Sequence, residues 1–184
     1  MYYLLRSPKA LDRLRGELDT AVEPTHDIAS YAEVKNLPYL RACLDESLRL
    51  SPPVAFGLNR KTPPEGMFID GHWIPGNTTV GVPAYTAHRN PDIFPDPEVF
   101  RPERWLEDGG KEAQSSFIAF SAGSRGCIGR NITYIEQTIL MATLLRRYDF
   151  ALSQPGWEME CEEAFNLWPK TIPLTIRRRE AGHD

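Results

Sequence analysis

A single cysteine lies in the glycine-rich stretch FSAGSRGCIG, which runs from Phe120 to Gly129 and leads into the longest helical pattern of the chain. That pattern extends from Ile128 to Arg147, with apolar residues recurring at helical spacing. Cys127 is therefore expected on a turn at the N-terminus of a helix. Outward-pointing backbone N–H groups and the helix dipole favour an anion there, so the turn is suited to hold a thiolate.

The residues around this cysteine favour a flat ligand that carries carboxylates. Gly123, Gly126 and Gly129 have no side chains, so a flat molecule could approach the backbone closely. Arg125 offers a fork of N–H donors to a carboxylate. A thiolate, a flat space and such an arginine together indicate a heme with a proximal cysteine ligand, and thiolate ligation favours O–O cleavage.

The alternative for any lone cysteine is a structural thiol that is buried in the core. We expect this alternative for Cys43, which lies in an apolar helical pattern, and for Cys161, which lies near a loop. For Cys127 the detailed pattern of phenylalanine, glycine, arginine, cysteine and glycine favours ligation. Three widely spaced cysteines also predict no disulfide framework.

Two further motifs combine acidic and basic residues. Glu46 and Arg49 are three positions apart on a predicted helix and can pair, which on a surface contributes roughly 0.2–0.5 kcal/mol. Taken alone, that solvated surface pair is the favoured interpretation. The segment FRPERW (Phe100–Trp105) is irregular, and Arg104 would need an acidic partner if it were buried; ordinary turn chemistry is its alternative.

The three motifs together resemble those of the cytochrome P450 family in order and approximate spacing. Glu46 and Arg49 match its E-x-x-R helix, Phe100–Trp105 matches its P-E-R-F segment with Trp105 in place of phenylalanine, and Phe120–Gly129 matches its cysteine motif. The resemblance covers essentially the whole chain. Within the family, the sequence is similar to fungal microsomal members that oxidise secondary metabolites. It implies the C-terminal part of the P450 fold: α+β, mainly helical, with small β-sheets and a cysteine loop before a long helix.

The resemblance also assigns roles to individual residues. Cys127 would be the axial ligand of the iron of heme b, and Glu46, Arg49 and Arg104 would form a buried network that holds the cysteine loop and supports heme incorporation. Arg60 and Arg125 would bind the heme propionates. The residues implied in cofactor binding are Arg60, Phe120, Gly123, Arg125, Cys127 and Gly129.

Other positions follow from their place in the family pattern. The substrate pocket would be lined by Val54, Ala55, Phe56 and Gly57, and by the loop Phe165–Leu167; for both groups the alternative is ordinary core packing. His88 is expected to make structural hydrogen bonds rather than to bind a metal, because the Cys127 thiolate would already be the protein ligand of the iron.

By resemblance the activity is a monooxygenase reaction on a small hydrophobic organic substrate with O2, supplied with electrons by an NADPH-dependent reductase. The family's N-terminal anchor, most of its pocket and its distal oxygen-activating helix are expected upstream, so residues 1–184 would form one partial domain. A fragment of a complete enzyme, an inactive relic, and a heme-binding or interaction module stay open as alternatives. A complete fungal relative would lie in the endoplasmic reticulum membrane, and this chain alone in the cytoplasm.

Composition adds limits. With a net charge of −4, no attraction to nucleic acid or anionic membranes is expected. The sequence contains no run of 18 apolar residues, so it predicts no transmembrane helix.

Local patterns predict the secondary structure. Helices are expected after Ser7-Pro8 and over 37–50, and one helical turn near 85–88 in an otherwise irregular stretch 83–116. A hairpin of 67–70 with 72–75 is expected around Asp70-Gly71. Strands are predicted at 78–82, 148–152 and 171–176, with a loop between the last two.

Overall fold

The computed structural model describes residues 1–23, 25–107, 110–154 and 156–179, and helices dominate this part of the chain. Two short 3-10 turns, Pro102–Trp105 and Gly123–Arg125, accompany them. The helices are α1 (Tyr2–Leu5), α2 (Pro8–Ala21), α3 (Tyr31–Val34), α4 (Pro38–Leu50), α5 (Ala84–Ala87), α6 (Gly110–Ser115) and α7 (Arg130–Arg147).

The strands form small antiparallel pairs at the edges of this helical body. The pairs are β1 (Arg60–Lys61) with β4 (Thr79–Val80), β2 (Met67–Ile69) with β3 (His72–Ile74), β5 (Tyr148–Leu152) with β8 (Leu174–Arg178), and β6 (Cys161–Ala164) with β7 (Asn166–Pro169). The predicted class, α+β with dominant helices and small sheets, is confirmed.

The core lies where α2, α4 and α7 pack together. Leu14 and Leu18 of α2 are one helical turn apart and fully buried, and they share one apolar cluster with Leu40 of α4 and Leu145 of α7. Full burial of such a side chain contributes about 1.5–3 kcal/mol. This packing fixes α4 and α7, the two helices that carry the candidate site.

The N-terminus of α4 is capped from a neighbouring helix. Leu37 occupies the N-cap position and has no side-chain acceptor, so Glu17 of α2 accepts hydrogen bonds from the backbone N–H groups of Tyr39 at 2.9 Å and Leu40 at 2.8 Å. A carboxylate at this position satisfies free N–H groups and complements the helix dipole. The helix ends at Leu50, just before the Pro52-Pro53 pair.

The predicted hairpin is present. Asp70 and Gly71 connect β2 to β3 with φ values of 48° and 74°, the left-handed pair that a tight two-residue turn requires. The predicted third strand is shorter than expected, and its partner β1 was not predicted.

Several elements differ from the sequence prediction. The β6–β7 hairpin lies where a loop was expected, and α6 adds a helix to the stretch 83–116. The last strand begins at Leu174, because Pro173 has no N–H to donate to a strand ladder. Ser7 precedes α2, but its side chain makes no capping hydrogen bond.

Candidate functional site

The carboxylate of Glu46 is the centre of a buried ionic network. Arg49, one turn further along α4, binds it with both Nε (2.8 Å) and Nη2 (2.9 Å). Arg104 donates from Nε at 3.1 Å, the backbone N–H of Arg101 at 2.9 Å and the indole N–H of Trp105 at 3.0 Å. Glu46 and Arg49 are 0% exposed and Arg104 is 4% exposed, so the interpretation of Glu46 and Arg49 as a surface pair is wrong.

The two arginines also hold the irregular segment that precedes the Pro102–Trp105 turn. Arg49 Nη1 donates to the carbonyl groups of His88 (2.8 Å) and Pro97 (2.7 Å). Arg104 Nη1 donates to that of Pro95 at 2.9 Å. Burial is the largest influence on Arg104 and lowers the pKa of its guanidinium, while Glu46 acts in the opposite direction. The network therefore satisfies backbone groups that no helix or sheet satisfies.

Trp105 belongs to this network, although the sequence analysis treated it only as a tryptophan in place of the phenylalanine of the P-E-R-F segment. A phenylalanine at this position could not donate to Glu46 Oε2, whereas the indole of Trp105 does so. The sequence shows that Trp105 carries an N–H donor, but only the burial of Glu46 gives that donor a partner.

His88 links the network to the segment that leads into the cysteine loop. Its Nε2 accepts a hydrogen bond from the N–H of Ile118 at 2.9 Å, so Nδ1 carries the hydrogen and donates to the carbonyl of Arg49 at 3.2 Å. His88 is 0% exposed, and burial lowers its pKa to about 4. Both ring nitrogens make protein hydrogen bonds, as a structural role requires.

The cysteine loop is closed by two backbone hydrogen bonds. The N–H of Cys127 donates to the carbonyl of Phe120 at 2.8 Å, and that of Gly126 to the carbonyl of Gly123 at 3.1 Å. Gly123 has a φ of 64°, which favours glycine. Gly126 and Gly129 have negative φ values, −56° and −81°, so backbone conformation does not require glycine there.

The three cysteines differ in exposure. Cys127 is exposed, Cys43 is buried and Cys161 is intermediate. Burial raises the pKa of both the Cys43 and the Cys161 thiols. Ile128, next to Cys127 in the chain, is fully exposed, and Ile132 in the first turn of α7 is 62% exposed.

The two arginines that were predicted for propionates both lie on the surface. Arg125 is the last residue of the 3-10 turn before Cys127 and is exposed. Arg60 lies in β1, is exposed, and donates from Nη1 to the carbonyl of Asn59 at 3.0 Å. Both guanidinium groups are therefore accessible to a ligand.

The two predicted pocket segments meet through the backbone. The N–H of Leu167 donates to the carbonyl of Pro53 at 2.7 Å, which joins the β6–β7 hairpin to the segment after α4. Phe56 is 58% exposed and Phe165, at the hairpin turn, 75% exposed, while Val54 is partly buried. Ala55 differs from expectation, because its methyl group is buried and only 2% exposed.

Gly57 marks a close approach that the sequence did not reveal. Its φ is 87°, and a Cβ atom there would lie 2.5 Å from the carbonyl oxygen of Val82. Only glycine fits, so the segment after α4 is held against the segment after β4.

Known proteins share this arrangement over the length of the chain. The family model described as Cytochrome P450 matches residues 1–176. The chain belongs to the cytochrome P450 family. Cytochrome P450 monooxygenase lnbC of Aspergillus flavus is 38% identical over 182 residues, which are 98% of this chain and 36% of that protein. Cytochrome P450 monooxygenase hepC of Aspergillus oryzae is 40% identical over 180 residues, 95% of this chain and 35% of that protein.

A solved structure agrees with these sequence relationships. The crystal structure of a cytochrome P450 (CYP102L1) matches with a TM-score of 0.84 at 29% identity, and covers 97% of this chain and 40% of that one. The chain thus spans little more than a third of the P450 monooxygenases that it resembles. Within its described residues, no helix is both long and apolar enough to cross a bilayer.

Proposed function

We propose that this chain is the heme-binding part of a cytochrome P450 monooxygenase of fungal secondary metabolism, with Cys127 as the axial ligand of the heme iron. The observation that carries the proposal is the exposed thiol of Cys127 on a loop closed by hydrogen bonds. The similarity to P450 monooxygenases of two Aspergillus species supports the enzyme class. Residues 1–184 would then be one partial domain, completed by the pocket and distal helix of a longer protein.

The residues present fit a heme. A thiolate is the ligand that favours O–O cleavage on heme iron, and Cys127 is the cysteine whose sulfur is open to a ligand. The exposed Ile128 and Ile132 offer apolar contact to a macrocycle. Arg125 and Arg60 offer accessible guanidinium groups to its two propionates, and Phe120, Gly123 and Gly129 shape the loop.

The buried network would hold the loop in place without touching the cofactor. Glu46 binds Arg49, whose backbone carbonyl accepts from His88, and His88 accepts from Ile118, two residues before Phe120. This path leads from the E-x-x-R helix to the start of the cysteine loop through hydrogen bonds alone. Its role would be to keep the loop ready for heme incorporation.

The remaining roles follow the family. When bound, heme activates O2 so that one oxygen atom is inserted into an organic substrate. Phe56, Phe165 and Val54 would offer apolar contacts to a small hydrophobic substrate. A reductase using NADPH would supply the electrons, and a complete relative would lie at the endoplasmic reticulum membrane.

The test is the absorption spectrum of the reduced, carbon-monoxide-bound chain, expressed with heme supplied. We expect the strongly red-shifted Soret band of a thiolate-ligated heme. Cys127→Ala should abolish this band, while Cys161→Ala, the matched control at a partly buried thiol, should keep it. Equal behaviour of the two variants would overturn the ligand assignment, and a wild-type chain that binds no heme would overturn heme binding by this chain.

A further inference from the structure

A second polar cluster, partly buried, joins α4 to α7 beside the Glu46 network and separate from it. Asp45 is 5% exposed. Its Oδ1 accepts a hydrogen bond from the hydroxyl of Tyr134 on α7 at 2.6 Å, and its Oδ2 accepts from Arg41 Nε at 2.8 Å. The guanidinium of Arg41 also lies over the ring of Tyr134, 3.6 Å from its centroid. Three residues from two helices are therefore joined by three mutual contacts.

Burial affects both members of the phenol–carboxylate pair. Desolvation is the largest cause for each and raises the pKa of Asp45 and of Tyr134. The two groups satisfy each other: the phenol donates and the carboxylate accepts. A short hydrogen bond to a buried charge is among the stronger kinds.

The cluster reaches the cysteine loop through Tyr134. The ring of Tyr134 packs against that of Phe120, with centroids 5.1 Å apart. The carbonyl of Phe120 accepts the hydrogen bond from the N–H of Cys127. Arg130, the first residue of α7, lies 5.8 Å from both ring centroids. Tyr134 thus contacts the residue that closes the loop, and it lies on the helix that follows the loop.

Asp45 and Glu46 are neighbours in the chain with different partners. Glu46 binds the Pro102–Trp105 turn through Arg104 and Trp105, whereas Asp45 binds α7. Through His88 and Ile118, the Glu46 side holds the segment that enters the cysteine loop. Asp45 holds α7, the helix that follows the loop. Residues of α4 therefore support both ends of the cysteine loop.

We propose that Asp45 and Tyr134, supported by Arg41, are positioning residues that fix the cysteine loop against α4 and so set the orientation of the Cys127 thiol. This proposal rests on the proposed role of Cys127 as the heme ligand. The hydroxyl of Tyr134 anchors α7, its ring confines Phe120, and Phe120 holds the backbone of Cys127. Loss of the hydroxyl leaves Asp45 Oδ1 without its donor and removes the hydrogen bond that anchors the ring of Tyr134 against Phe120.

The first test needs no heme and compares backbone amide hydrogen exchange in the wild-type chain and Tyr134→Phe. We expect exchange at the Cys127 amide to become about ten-fold faster, because local opening of the loop becomes easier, while the β5–β8 pair keeps its rate. Tyr39→Phe is the matched control: Tyr39 is also a buried tyrosine, it lies on α4 itself, and its hydroxyl donates to a carboxylate, Glu103, at 2.8 Å. It should leave the Cys127 amide unchanged relative to the rest of the chain.

Asp45→Asn provides a milder variant whose amide oxygen still accepts from Tyr134, and its effect on the Cys127 amide should fall between those of wild type and Tyr134→Phe. It also keeps the proposal testable if Tyr134→Phe does not fold. A uniform change over the whole chain, or no change at the Cys127 amide, would overturn the positioning role.

The second test uses the heme-loaded chain. Tyr134→Phe is expected to bind heme roughly ten-fold more weakly, because changes to residues that support a metal ligand lower affinity for the metal. A smaller fraction of its bound heme should show the thiolate-type Soret band. Tyr39→Phe should keep the wild-type fraction. If the wild-type chain lacks the thiolate band, the proposed function fails, and hydrogen exchange still decides the positioning claim. If wild type shows the band and Tyr134→Phe leaves both band and affinity unchanged, the positioning claim is wrong.

Discussion

Replacement of Glu46 by glutamine is expected to destabilise the protein strongly. The carboxylate accepts five hydrogen bonds, three at Oε1 and two at Oε2, from Arg49, Arg104, Trp105 and the Arg101 backbone. A glutamine would turn an NH2 group toward N–H donors and leave two buried guanidinium groups without an anion. Breaking such a buried pair costs about 3–5 kcal/mol.

The size of this effect can be measured by urea unfolding and by thermal unfolding. Because 1 kcal/mol corresponds to about 2–4 °C in a chain of this size, the melting temperature should fall by roughly 6–20 °C. Glu107→Gln is the matched control, since Glu107 pairs with Arg101 at 3.4 Å on the surface, and a surface pair is worth about 0–1 kcal/mol. A loss for Glu46→Gln below about 1 kcal/mol, no larger than for Glu107→Gln, would refute the reasoning.

Three further outcomes are expected. Trp105→Phe removes one donor from buried Glu46 and should lower the free energy of unfolding by about 1.5–3 kcal/mol; unchanged stability in urea would show that the indole hydrogen bond is unimportant. Glu17→Ala removes the cap of α4 and should cost about 0.5–2 kcal/mol, measured in the same assay, with an unaltered midpoint as the contrary result. Folding lowers the pKa of His88 to about 4, so as the pH falls His88 becomes protonated in the unfolded chain before it does in the folded one. The stability due to neutral His88 should therefore be lost between about pH 6.5 and pH 4, by about 3 kcal/mol, and His88→Gln should show a shallower decline; parallel pH curves would contradict this.

Local features of the fold were predictable because their causes are local. The Asp70-Gly71 turn supplies two left-handed conformations within the turn itself, and the apolar spacing of α4 and α7 appears within each helix. The family resemblance rested on three motifs that the fold brings into one region. In contrast, the β6–β7 hairpin turns at Phe165 with a φ of 70°, a conformation that a phenylalanine rarely adopts and that no sequence pattern signals.

Burial of the ionic network could not be read from spacing. An i, i+3 pair of glutamate and arginine fits a solvated surface equally well, and only the packing of the Pro102–Trp105 turn against α4 removes Glu46 and Arg49 from water. The Asp45–Tyr134 contact was missed for a similar reason, since its members are 89 positions apart. Long-range polar contacts depend on how helices pack, and apolar periodicity does not specify them.

The most direct test of the central claim is X-ray absorption at the iron edge of the heme-loaded chain, which identifies the atoms bound to iron. The account predicts a sulfur ligand in the wild-type chain, retained in Cys161→Ala and lost in Cys127→Ala. A first shell of nitrogen and oxygen alone in the wild-type chain, or a sulfur ligand that persists in Cys127→Ala, would contradict it.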